Sequence, residues 1–597
     1  MKLSAILLGI VFTLASCSTQ EDIRVEAQEF IDQYTETFKD LSYGAARAEW
    51  RSNTHIVAGD DSNAQATRGA REALAAFTGS VKTIARARSL LENQDQLLGK
   101  QKKQLRSILF LAADGPQTVP DLVKQRIAKE TELVEKLYGF NFEVDGRALT
   151  TNEIDQILRT SSDLKERQKV WEASKEVGKR LKEGLESVRD LRNRTVQALD
   201  YDSYFSYQVS EYDMTVAEMM ALMDKFNREL RPLYRELHTW ARYRLAKKYG
   251  KPVPDSIPAH WLPNRWGQDW GALVSVKGLD LNAALENKSP EWMIRQAEKF
   301  YVSLGFEELP ESFWKQSSLY PLPKDASYKK NNHASAWHMD LEDDIRCLMS
   351  VENNADWYET VHHELGHIYY YRSYTRPEVP PLLREGANRA FHEAIGSLMG
   401  LAATQKAFLA GQEMVPKNAR VDKIQALLKE ALSSVVFIPF SAGTMSLFEH
   451  DLYEKNLPAD QYNQRWWELA RKYQGIEPPT ARGEEYCDAA SKTHISDDAA
   501  QYYDYTLSYI LLYQLHDTIA NNILKQDPHD TNYWGNRQVG KFLDQLMRPG
   551  STGDWRKLIR EITGDDLSAQ AMLSYYAPLM DYLKKVNRGR KHTLPEL

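Results

Sequence analysis

The chain has 597 residues, 42% of them hydrophobic and 27% charged, enough apolar content for a large core in a soluble body. Its formal net charge is −7 and no long basic block interrupts it. That excludes a reader of the nucleic-acid backbone, whose affinity depends on clustered Lys and Arg. Three cysteines are too few for a disulfide framework, so the core must do the stabilising.

The first elements in chain order concern export. Lys2 precedes Leu3 to Ala15, nearly all apolar apart from Ser4 and Thr13. That is the length of a signal-peptide core and too short for a comfortable membrane span. Leu14-Ala15-Ser16-Cys17 resembles the lipobox of bacterial lipoproteins, in which the cysteine is lipidated and becomes the first residue. The resemblance implies a signal peptide over 1–16, a lipidated Cys17 with a short tether to residue 21, and anchoring in the bacterial cell envelope through the lipid. Ser18 points to the outer membrane, facing the periplasm or the surface. Cys347 and Cys487 remain, and their spacing does not establish a disulfide.

Helical periodicity follows almost throughout. Glu26 to Phe38 reads as an amphipathic helix with Phe30, Ile31, Tyr34 and Phe38 on one side. Long charged helices are expected over 64–105, 163–198 and 215–249. The Pro-rich stretches 252–263 and 477–480 read as loops within one body. No repeat, low-complexity run or Gly/Ser linker divides the chain, so one large all-α catalytic domain is expected over 22–597. One segment departs from the helices. His333 to Met339, an acidic turn at 340–344 and Ile345 to Val351 predict a two-stranded hairpin, whose edge can pair with an extended peptide.

His363-Glu364-Leu365-Gly366-His367 has the form HExxH. On a helix, residues four apart share a face, so both imidazoles can reach one ion. Glu364, rotated by about 100°, points its carboxylate beside the metal, where it can take a proton from an attacking water. A catalytic zinc wants three protein ligands and an open position. The segment Arg384 to Gly396 offers Glu385, His392 and Glu393 on chemistry alone. No third histidine follows at metzincin spacing, which favours a glutamate.

Three motifs together, HHELGH at 362–367, REGAN at 384–388 and FHEAIG at 391–396, resemble the peptidyl-dipeptidase family that includes angiotensin-converting enzyme. The resemblance implies a helical body of two halves around a deep cleft with the hairpin at its edge. It also implies one Zn2+ held by His363, His367 and Glu393, and oligopeptide substrates with a free C-terminus. His333-Ala334-Ser335-Ala336-Trp337 matches the family's HASAW, which implies that His333 hydrogen-bonds the substrate and that the Ala334 backbone pairs with it. Lys492-Thr493-His494-Ile495 resembles the family's KFHI, and Tyr502-Tyr503-Asp504-Tyr505 its Tyr-x-Arg-Tyr with one inserted residue. By that matching, Tyr505 donates to the oxyanion, His494 assists, and Lys492, Tyr502 and Gln268 grip the C-terminal carboxylate. Gln268 stands where the related single-residue carboxypeptidase has arginine, which favours dipeptide release. Without the family, the tyrosines read as core residues and Lys492 and Gln268 as solvated surface.

Three departures from the pattern are visible. Ser397 stands where the family has an aspartate behind a zinc histidine, which predicts weaker zinc binding. Ala470 and Asp504 replace two chloride-binding arginines, so chloride is not expected to be required. Asn332 replaces a cysteine that precedes HASAW in animal members. The reading is a zinc peptidyl-dipeptidase. The alternatives are a zinc carboxypeptidase or oligopeptidase on the same scaffold, or a catalytically silent surface binding protein.

Overall fold

Helix follows helix from Gln20 onward, and each long one has local reasons to start and stop. The structure, a computed structural model, describes residues 20–597 apart from 58, 277–279, 324 and 332. The signal-peptide and Cys17 calls, and Asn332, lie outside the described residues.

The first helix spans Gln20–Thr54, longer than the expected Glu26 to Phe38, and buries Ile23, Ala27, Ile31, Tyr34 and Phe38 at helical spacing. The stretch 64–105, expected as one helix, is three: Ser62–Thr78, Val81–Leu91 and Gly99–Asp114. Charge and periodicity run straight through these breaks, but the first of them carries a cap and a close approach from farther along the chain. Ser80 caps a new helix by accepting from the Thr83 amide, and a Cβ on Gly79 would lie 2.0 Å from the Gly115 carbonyl oxygen. The other two long helices occur as Leu164–Gln197 and Val216–Tyr249. The second opens on a reciprocal Thr215/Glu218 cap and closes on Gly250 in the left-handed conformation, φ 60°.

Among the described residues, regular strand is confined to three two-stranded pieces. One joins the two Pro-rich loops, Ile257–Pro258 pairing in parallel with Ile476–Glu477. Another is the expected hairpin, Ser335–His338 against Ile345–Leu348, antiparallel with Trp337 opposite Arg346. Its turn is fixed by Asp340, whose carboxylate accepts the amides of Glu342 and Asp344. Among the described residues one helix, Lys423–Tyr453, is long and apolar enough to cross a membrane, but 89% of its apolar window is buried inside the protein. It is a core helix. Cys347 and Cys487 are both buried and free.

Candidate active site

Two helices carry the HExxH motif and Glu393. Ala355–Tyr374 starts where Asn354 accepts the Trp357 amide, and Arg389–Thr404 packs across it. Glycine sets how closely they approach. A Cβ on Gly366 would lie 2.8 Å from the Gly396 Cα, and a Cβ on Gly396 would lie 2.8 Å from two atoms of the His363 ring. Only because both positions lack a side chain can the second helix bring Glu393, one turn before Gly396, up to the histidines.

The result is a compact donor set. Nε2 of His363 and Nε2 of His367 are 3.1 Å apart, and His363 Nε2 is 3.7 Å from Glu393 Oε2. One donor atom from each of the three residues lies within 4.8 Å of the others. Tetrahedral ligands at about 2.0–2.1 Å from zinc stand about 3.3 Å from one another, so the spacing fits. Protonation fits as well, because burial lowers the pKa of both imidazoles and favours their neutral, ligating forms. Glu364 lies beside them, 6% exposed, with Oε2 making no hydrogen bond. Burial first and then the Glu393 carboxylate push its pKa up to about 8. A dication held by His363, His367 and Glu393 would favour the ionised form again.

The competing ligands fall outside this set. His392 meets the far side of His367, Nδ1 to Nδ1 at 3.4 Å. Glu385 is drawn into a separate acidic surrounding that includes Glu211 and Tyr374. Ser397 sits with Oγ 3.4 Å from Nδ1 of His363. Each of the two histidines therefore has a neutral neighbour at its other nitrogen, and among the described residues neither bonds a carboxylate there.

The remaining predicted residues converge through aromatic contacts. Lys492, 4% exposed, donates to Gln268 Oε1 at 3.1 Å and lies 5.2 Å from the Tyr502 ring centroid and 4.5 Å from that of Trp266. Tyr502 also hydrogen-bonds Gln268. Burial, then Arg265, lowers the Lys492 pKa to about 7. The Tyr502 and Tyr505 rings are 5.0 Å apart, and His494 meets Tyr502 edge-on at 4.9 Å. Tyr505 and His494 are linked from Oη to Nε2 at 3.4 Å. Burial and the Glu393 carboxylate raise Tyr505 to about 12, so it remains a donor, while burial and Lys492 lower His494 to about 4. His333, exposed just before the hairpin strand, is close enough to His494 to add to that lowering. Ala334 precedes the strand directly, and no described strand pairs with the far edge of Ser335–His338.

Comparison with known proteins agrees with this arrangement. A profile of the angiotensin-converting enzyme family matches residues 21–594. The chain belongs to that family. Angiotensin-converting enzyme of Theromyzon tessulatum is 27% identical over 96% of this chain and 94% of its own length. The Bos taurus enzyme is 28% identical over 96% of this chain but only 44% of its own length. An angiotensin-converting enzyme-related protein of Drosophila melanogaster is 30% identical over 66% of this chain and 65% of its own. The family and the donor set together make this a zinc metallopeptidase.

Sequence reading missed three contributors. Tyr371, one turn after His367, donates from its hydroxyl to the Ala336 carbonyl at 3.2 Å and ties the motif helix to the hairpin. Its i+4 position after a ligand was a usable signal. Lys175 is buried 4.7 Å from the Trp266 centroid and bonds Ser491 Oγ at 3.2 Å, adding a second amine near Lys492 whose pKa burial lowers far below the usual lysine range. Arg389 grips two acids from a distant segment. Nothing local in the sequence singles out Lys175 or Arg389.

Proposed function

We propose that this metallopeptidase is a peptidyl-dipeptidase, releasing C-terminal dipeptides from oligopeptides. The observation that carries the reading is the buried Lys492–Gln268–Tyr502 cluster, which offers an ammonium, an amide and a phenol to a carboxylate. Tyr502 pairs with the Tyr505 ring 5.0 Å away, and Tyr505 in turn feels the Glu393 carboxylate. A dipeptide product requires the grip to lie about 7 Å, two extended residues, from the scissile bond.

Zinc held by His363, His367 and Glu393 would supply a Lewis acid for the scissile carbonyl and lower the pKa of an adjacent water. Glu364 takes the proton from the attacking water and returns it to the leaving amine. Tyr505 donates to the oxyanion as charge develops, with His494 beside it. His333 and the Ala334 backbone hold the peptide along the free strand edge, while Lys492, Tyr502 and Gln268 fix the terminal carboxylate. Chloride is not required in this reading, because Ala470 and Asp504 stand where arginines would bind it. Lipidation at Cys17 would tether the enzyme in a bacterial envelope, with peptides of that compartment as its substrates.

Mass spectrometry of N-blocked peptides, with free or amidated C-termini, tests the assignment against a Glu364→Gln control. Dipeptide release that is weakened by amidation and absent in the control is expected. Single-residue release would instead make it a carboxypeptidase, and zinc binding without cleavage would make it a silent binder.

A further inference from the structure

Arg389 opens the helix that carries Glu393, one turn upstream of it. Its two terminal nitrogens bond the Asp498 carboxylate at 3.1 and 2.7 Å, and one of them also bonds Gln501 Oε1 at 2.6 Å. Its Nε faces Oδ2 of Asp504 at 3.2 Å. Asp504 lies in the first turn of the helix Tyr503–Asp517, directly before Tyr505, and is 1% exposed. Its second oxygen accepts the Tyr212 hydroxyl. One cation on the ligand helix is thus clasped by two carboxylates at the entrance to the tyrosine helix, and these two helices pack against each other.

The burial of Asp504 is unfavourable in itself. Desolvation raises its pKa, and the adjacent Arg389, whose own pKa Asp498 and Asp504 raise, favours the carboxylate. A neutral side chain of similar size would fill the space without that penalty. What a carboxylate adds is a fixed attraction between the two helices, at the level where one carries a metal ligand and the other the oxyanion donor.

We propose that the Arg389–Asp504–Asp498 clasp positions Tyr505 against Glu393, with the Asp504 carboxylate acting as a built-in counter-anion for Arg389. The inference rests on the peptidyl-dipeptidase reading only in assigning Tyr505 and Glu393 to one reaction. It makes Arg389 and Asp504 positioning residues, since neither touches substrate. It also implies that a small dissolved anion can replace the carboxylate if space is made for it.

The test compares Asp504→Ala, which opens that space, with Asp504→Asn, which keeps it filled but uncharged. For Asp504→Ala, kcat is expected to fall about 10- to 100-fold, as a misplaced catalytic group does, with KM little changed. Chloride or formate should restore kcat in a saturable way and raise the Tm of this variant. Asp504→Asn should lose kcat similarly and respond to neither anion, and the wild type should show no saturable anion response. Zinc content is measured for every protein. Wild-type kcat in both variants overturns the clasp, as does a zinc-loaded Asp504→Ala with lost activity but no response of kcat or Tm to either anion. If Asp504→Ala does not fold, Asp504→Asn decides: unchanged kcat overturns the proposal. If the wild type cleaves no peptide, the functional reading fails separately, and the Tm response of Asp504→Ala still decides whether Asp504 serves as the counter-anion.

Discussion

Gly396→Ala is the sharpest probe of how the two ligand helices are held. Elsewhere in a helix this change would stabilise the protein by up to about 1 kcal/mol, because Ala is the better helix former. Here the added Cβ would sit 2.8 Å from Cε1 and Nδ1 of His363. Carbon atoms in contact prefer about 3.5–4.0 Å, so the ring must retreat by close to 1 Å, while zinc sites tolerate about 0.2 Å. Zinc affinity is therefore expected to drop by about 10- to 100-fold, or 1.4–2.7 kcal/mol. The metal-free protein should be far less affected, because a side chain can move aside where a helix cannot. Gly366→Ala supplies the contrast. Its Cβ would meet the Gly396 Cα at 2.8 Å and its amide nitrogen at 3.2 Å, so the helices themselves must separate and the metal-free Tm should fall too. Chelator competition gives the zinc affinity, and thermal melts with and without metal give the stability. Wild-type zinc affinity in Gly396→Ala would refute the argument that this glycine sets the ligand geometry.

Three further outcomes follow from the same site. Ser397→Asp should tighten zinc about 10- to 100-fold by placing a carboxylate behind His363; Ser397 lines a cavity of about 680 Å³, so the larger side chain has room. Unchanged affinity in chelator competition would show that the serine is not the weak point. Tyr505→Phe should lower kcat by about 10²- to 10³-fold with KM little changed, and a rise in KM alone would remove Tyr505 from oxyanion binding. For Lys492, burial sets the free-enzyme pKa near 7 and a bound carboxylate favours the charged form. Hence kcat/KM for peptides with free C-termini should decline as pH rises through about 7. Amidated peptides should lack that limb, as should Lys492→Gln with either substrate. The same limb on amidated peptides would assign it to another group.

What the sequence made legible was whatever depends on spacing along one element. His363, Glu364 and His367 share a helix, so their convergence follows from periodicity alone, and the hairpin turn at 340–344 is equally local. The three-helix reality of 64–105 escaped because one of its breaks rests on an approach to Gly115, invisible from within the segment. Glu393 could be chosen over Glu385 and His392 only by likeness to a family, since the choice depends on how deeply one helix sinks into another. That depth is set by two glycines facing each other and, we infer, by one arginine between two acids. Both devices join residues far apart in the chain. Both also explain how a metal site without a carboxylate behind its histidines keeps its shape: the geometry is enforced by helix contact and an internal ion pair rather than by the neighbours of the imidazoles. On that account, perturbing the helix spacing should damage this site more than altering Ser397 does.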